Sequence, residues 1–70
     1  MNIEWEYKYR SCSAIIGNYT LTINRGAYNF IWLVEKDDKE VATGITNEYD
    51  TARELCSIVV EKLVKAEYKV

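Results

Sequence analysis

The chain predicts an α+β fold of order ββββα: a four-stranded antiparallel β-meander with one C-terminal amphipathic helix packed on one face. Three observations carry this expectation. Apolar and polar residues alternate in short runs as far as Thr46, the period of a half-buried strand. The breaks between runs are only a few residues long, whereas a parallel crossover needs a dozen or more. Beyond Thr46 the apolar residues recur at three and four, the period of a helix face.

Residues 3–10 alternate strictly, with Ile3, Trp5, Tyr7 and Tyr9 on one side and Glu4, Glu6, Lys8 and Arg10 on the other. They form the expected first strand. Ser11, Cys12 and Ser13 break the pattern, and Ala14 to Ile16 either continue that strand or begin the next before Gly17-Asn18 permits a turn or bulge. Tyr19 to Asn24 is again period two and rich in β-branched residues. A short reversal around Arg25-Gly26-Ala27 leads into Tyr28 to Glu35, where Phe30, Trp32 and Val34 share one side and Ile31 and Leu33 the other. Apolar residues on both sides mark a central strand. Lys36-Asp37-Asp38-Lys39 suits a type I turn, and Glu40 to Thr46 is the fourth strand. There the small Ala42 and Gly44 alternate with Val41, Thr43 and Ile45 and would let a helix approach closely.

Ala52, Leu55, Cys56, Val59, Val60, Leu63 and Ala66 define one helix of about 17 to 20 residues by their spacing of three and four. Asn47 or Asp50 is the expected cap. Glu48 and Asp50 suit the positive end of the helix dipole, and Lys62, Lys65 and Lys69 the negative end. Glu61 and Lys65 form an i, i+4 pair.

Seventy residues make a single domain, 1–70, that buries only about 60% of its unfolded surface. A core of that size makes a second subunit a useful source of stability. The net charge of −2, with nine Lys and Arg dispersed along the chain, gives no positive field for a phosphate backbone, which argues against duplex nucleic acid. No stretch approaches the ~20 apolar residues that span a bilayer, and the N-terminal residues lack the basic and apolar regions of a secretory signal. With two cysteines and no such signal, the expectation is a cytoplasmic protein with reduced thiols. Whether Cys12 and Cys56 meet is not fixed by the sequence.

The residue inventory argues against catalysis. Histidine is absent, no Ser or Cys has an evident base, and Cys56 lies on the apolar helix stripe, where a free cysteine acts as a small hydrophobe. Two cysteines 44 positions apart without histidine make no zinc site, and Asp37-Asp38 lacks the rest of a calcium loop. No cofactor is implied.

Two Trp and six Tyr in so short a chain without proline suit sheet faces and interfaces, since each has an apolar body and a polar tip. One helix covers one face only, so part of the set Trp5, Tyr7, Tyr9, Tyr19, Tyr28, Phe30 and Trp32 is expected to stay exposed. Trp5, Tyr7, Tyr9, Tyr28, Phe30 and Trp32 are the candidate partner-binding residues. Arg25 to Trp32 superficially resembles the RNP1 strand of RNA-recognition motifs, but Ala27 is an extra residue and the early strands lack an intervening helix.

The stretch from Tyr19 to Val60, with Tyr-Thr-Leu-Thr-Ile, Phe-Ile-Trp-Leu-Val, Val-Ala-Thr-Gly-Ile-Thr and Ala-Arg-Glu-Leu-Cys in succession, resembles small phage and mobile-element proteins of β-meander-plus-helix form, anti-CRISPR inhibitors among them. The resemblance covers roughly 40 residues by pattern of strand, turn and helix and transfers no site residue. It implies an inhibitor or accessory protein that docks on a larger protein or nucleoprotein complex. The sequence therefore leads to a non-enzymatic protein-binding module. Its alternatives are a homodimer joined by a sheet face or edge with a structural or regulatory role, and a single-strand nucleic-acid binder that stacks bases on sheet aromatics.

Overall fold

The computed structural model describes residues 3–68, apart from the side chain of Tyr68; Lys69, assigned above to the helix dipole, lies outside that range. The elements are β1 (Glu6–Lys8), β2 (Ser11–Ile16), β3 (Tyr19–Arg25), β4 (Phe30–Lys36), β5 (Lys39–Thr46) and α1 (Tyr49–Tyr68). The sheet runs β1-β2-β3-β4-β5 with every neighbour antiparallel. The class and the meander are as expected, but there are five strands where the alternation gave four.

The extra strand arises at Tyr9-Arg10. Lys8 pairs with Ser11, and Arg10 takes a positive φ of 63°, so the chain reverses inside the run that alternates without interruption. A left-handed arginine is uncommon, and no glycine announces the turn. Ser11–Ile16 is then a complete inner strand, paired to β1 on one side and to β3 on the other. Ser11, Cys12 and Ser13, the part of it that lies between two ladders, have short side chains.

Turn chemistry sets the remaining registers. Gly17 has φ 58° at the first central position between Ile16 and Tyr19, as a two-residue hairpin with glycine there requires. Between Lys36 and Lys39, Asp37 and Asp38 both have positive φ, 52° and 66°. That is the signature of a type I′ turn and corrects the type I expectation; the primed turn matches the right-handed twist of the flanking strands. The two turns touch, since the Asp37 amide donates to the Asn18 carbonyl at 3.1 Å. A bulge between Val34 and Glu35 shifts the β4–β5 register.

α1 packs chiefly across β4, with β5 and β3 beside it. Ala52, Cys56 and Val60 are its fully buried row, and Leu55, Val59, Leu63 and Val64 flank them. Ala66, expected on the stripe, is exposed; Val64 turns inward instead. Neither Asn47 nor Asp50 supplies the expected cap. The Glu48 carbonyl accepts the Ala52 amide at 3.2 Å and the Thr46 hydroxyl at 2.8 Å, while Asp50 is ion-paired with Arg53. Glu61 and Lys65 pair at 3.2 Å, the expected i, i+4 contact.

Candidate docking surface

The registers divide the strands between two faces. Toward the helix lie Cys12, Ala14, Tyr19, Leu21, Ile23, Trp32 and Val34, all buried. Tyr7 shares this side through its pairing with Cys12, as does Phe30 at the end of the row through Arg25 and Thr46. Away from the helix lie Ser11, Ser13 and Ile15 of β2, Thr20, Thr22 and Asn24 of β3, Ile31, Leu33 and Glu35 of β4, and Val41, Thr43 and Ile45 of β5.

This division places the aromatic side chains, and the part of the set that stays exposed is Tyr7, Tyr9 and Tyr28. None of the strand residues among the candidates, Tyr7, Phe30 and Trp32, takes the uncovered side of its strand. Trp32 is buried beneath the helix, and Trp5 and Phe30 are half-buried against the core. Tyr9 and Tyr28 sit almost fully exposed, Tyr9 in the β1–β2 turn and Tyr28 in the β3–β4 loop, two connections at the same end of the sheet, where the Arg25 amide donates to the Arg10 carbonyl at 2.9 Å. Tyr7 is 59% exposed at the rim of the covered side. Pattern alone could not decide this, because a strand apolar on both sides does not reveal which side meets the helix. The signal lay in Gly44, which stands directly opposite Trp32. A Cβ there would come within 2.6 Å of the indole. The bareness of Gly44 therefore accommodates a cross-strand tryptophan and not, as its spacing suggests, the close approach of the helix.

What the uncovered face presents is aliphatic. Ile31 and Ile45 are directly opposite one another at 40% and 65% exposure, and Val41 is 45% exposed two positions from Thr43. Leu33, half-buried, continues the group opposite Thr43. The Thr43 hydroxyl donates to the Trp32 carbonyl at 2.8 Å, which ties the middle of the stripe to β4. Beside it Ser11, Ser13, Thr20, Thr22 and Asn24 make a polar field, interrupted by Ile15. The result is an apolar strip along β4 and β5 bordered by hydroxyls. Contiguous exposed apolar surface of this kind marks interaction sites more often than scattered single residues do.

A second grouping surrounds Tyr49 at the start of α1. Its ring stacks with Tyr7 at 6.3 Å and meets Phe30 edge-on at 5.3 Å, and the Arg53 guanidinium lies 4.9 Å from its centroid. Arg53 donates to the Tyr7 hydroxyl at 2.9 Å while pairing with Asp50. Burial, then the nearby Cys12 thiol, pushes the Tyr49 hydroxyl far above the usual tyrosine value. That hydroxyl is buried and completes no hydrogen bond. The arrangement holds the helix start against β1 and β4, and the one cation in it is already committed.

Cys12 and Cys56 are both buried free thiols in one core. Burial first, then the neighbouring Cys12, pushes the Cys56 thiol up to about 12, so at neutral pH it is a protonated packing group and not a nucleophile. At the other end of the helix a cleft of about 360 Å3 is lined by Ile16, Gly17, Asn18, Tyr19, Val64 and Glu67. Its carboxylate is held below the ordinary range by the Lys36 ammonium and then by the Tyr19 hydroxyl, which donates to it at 3.0 Å. A carboxylate so engaged has little basicity left for proton transfer. Among the described residues no three His, Cys, Asp or Glu side chains gather as a metal site would require, and no helix is long and apolar enough to cross a membrane.

Comparison with protein families, with curated proteins and with solved structures finds no match to this chain.

Proposed function

We propose that this chain is a non-enzymatic protein-binding module that docks on a larger protein or nucleoprotein complex through the uncovered face of its sheet. One observation carries the reading: Ile31, Leu33, Val41 and Ile45 form an exposed aliphatic strip on strands whose opposite side already has a complete helix-covered core. Burying such side chains is worth roughly 25 cal/mol per Å2 removed from water, and nothing within the described chain covers them. The polar border of Ser and Thr suits the rim of a non-obligate interface. The resemblance to phage and mobile-element proteins supplies the class of partner and the inhibitor role, and it supports nothing finer.

The anchors differ from those that the sequence suggested. Aliphatic residues of β4 and β5 replace the aromatic set, of which only Tyr7, Tyr9 and Tyr28 are well exposed. A base-stacking platform needs aromatic side chains on an open sheet face, and the residues of β2 to β5 on this face include none, which favours protein over single-stranded nucleic acid.

The test pairs capture with a surface variant. Tagged wild-type protein and Ile31→Asp/Ile45→Asp are compared for the proteins they retain from the host lysate, with circular dichroism confirming that both fold. A partner held by the wild type and lost at least tenfold by the variant is the expected result. Equal retention would move the docking site elsewhere.

A further inference from the structure

We infer that the free edge of β5 pairs with β5 of a second copy, antiparallel and centred on Thr43, to make a two-fold symmetric dimer with a continuous sheet. The two edges of this sheet are unequal: β1 has three residues and β5 has eight. Sheet edges are normally guarded by brevity, charge, proline or bulges. On β5 these devices sit at the start, in Lys39, Glu40 and the bulge at Val41, the residue left over between the Glu35–Glu40 and Val34–Ala42 pairs. From Val41 to Thr46 the edge reads Val-Ala-Thr-Gly-Ile-Thr, with no charge and no proline.

The register follows from the side chains. A two-fold axis perpendicular to the sheet keeps each residue on its own face, so residues of like parity must stand opposite one another. Centring on Thr43 places Val41 against Ile45 of the other copy, twice, and Ala42 against Gly44. Centring on Ala42 or on Gly44 would set Val41 or Ile45 against Thr43 and forfeit those cross-strand apolar pairs. Only the Thr43 register covers both exposed aliphatic side chains of β5 with each other.

Charge agrees with the same register. Lys39 stands directly opposite Lys36, whose ammonium is taken by Glu67. Neither Lys39 nor Glu48 has an ion-pair partner among the described residues. Antiparallel pairing centred on Thr43 brings Lys39 of one copy alongside the Asn47-Glu48 end of the other, and symmetry repeats the contact. The aliphatic strip then runs unbroken across the axis as Ile31, Ile45 and the second Val41, which doubles the docking surface. Five paired residues fall short of the roughly 800 Å2 per partner of a standard interface. The dimer is accordingly weak and dissociates on dilution.

Sedimentation equilibrium of the whole chain from low to high micromolar concentration tests this directly. The apparent mass should double over that range. Thr43→Cys should give a covalent dimer under mild oxidation while Ile15→Cys does not, the native cysteines being buried. Val41→Lys should weaken association at least tenfold, and Val41→Lys/Ile45→Glu should restore it, because each new lysine then faces a new glutamate across the axis. Circular dichroism on every variant separates loss of pairing from loss of fold. A strict monomer at every concentration overturns the proposal, as does covalent dimer formed through Ile15→Cys as readily as through Thr43→Cys, or a double variant no better than the single one. The capture variant shares Ile45 with this edge, so Ile31→Asp alone, on β4 and outside the paired strand, keeps a failure of the edge distinct from a failure of the strip.

Discussion

The two faces of this sheet are made from the same strands and do opposite work. On β3, Leu21 and Ile23 are fully buried beneath the helix, while Thr20 and Thr22, which alternate with them, are half-exposed. β4 repeats the contrast with Val34 fully buried and Ile31 open to solvent. The covered side is a tight mixture of aliphatic, thiol and indole groups. The other side is a field of short hydroxyls with one aliphatic strip. A domain this small closes a single layer of core, so stability is concentrated on the covered face and the reverse is left available for contact.

Truncating matched residues on the two sides separates the faces most strongly. Leu21→Ala removes a side chain with no exposed surface and should cost about 3 kcal/mol, as leucine truncations in closed cores do. Ile15→Ala, on a residue 77% exposed, should stay within about 0.5 kcal/mol. Urea denaturation of both variants at low protein concentration decides it. If Ile15→Ala were as costly as Leu21→Ala, the open face would be covered in solution.

Gly44→Ala sharpens the contrast from the covered side. The added methyl would sit 2.6 Å from the Trp32 indole, a rigid ring held below the helix, so strain of about 2 kcal/mol is expected. A shift in the near-ultraviolet dichroism of tryptophan should accompany the loss. An unchanged denaturation midpoint would mean that the indole moves freely, and the picture of a tight covered face would fail.

Much of this fold was legible before the coordinates. The helix was readable because Ala52, Cys56 and Val60 repeat at four with Leu55, Val59 and Leu63 between, and β3 to β5 because short polar breaks allow only antiparallel neighbours. The β1–β2 turn was not readable. Nothing in Tyr9-Arg10 marks a reversal, since arginine adopts a left-handed φ there under tertiary constraint and not by preference. The docking face was half legible. One helix leaves one face of the described sheet uncovered, yet periodicity says only which residues share a face. Which face meets the helix depends on cross-strand packing, here the indole of Trp32 over Gly44, and with Trp32 the Tyr19 and Phe30 rings of the neighbouring rows lie on the covered side.

Alkaline pH offers a third probe of the covered face. Burial raises the Cys56 thiol from 9.0 to about 12, and burial also raises the Tyr19 hydroxyl above its usual value of 10.0. In both cases the folded state favours the protonated form. Their stabilising contribution is therefore whole below the unfolded values and fades as pH rises through the folded ones. Stability should hold to about pH 9 and decline toward pH 12, and Cys56→Ala should flatten the first part of that decline. An alkaline limb unchanged by the substitution would mean that the thiol reaches water.

The smallest expected effects lie in the turns that fix the strand order, and a pair of opposite substitutions isolates them. Asp38 holds φ 66° beside Asp37 at 52°, a conformation that costs an L-residue with a Cβ roughly 1 kcal/mol. Asp38→Gly removes the steric penalty and one of two adjacent negative charges, and loses a few tenths of a kcal/mol to the greater freedom of an unfolded glycine. A net gain of about 0.5 kcal/mol should remain. Gly17→Ala is the mirror experiment, because Gly17 has φ 58° and a Cβ there would meet no atom within 4 Å. Any loss from that variant reports backbone strain alone, and about 1 kcal/mol is expected. If Asp38→Gly instead destabilised the protein while Gly17→Ala behaved as expected, the aspartate side chain would be contributing contacts that its φ does not reveal, and the type I′ turn would owe its place to them and not to the twist of β4 and β5.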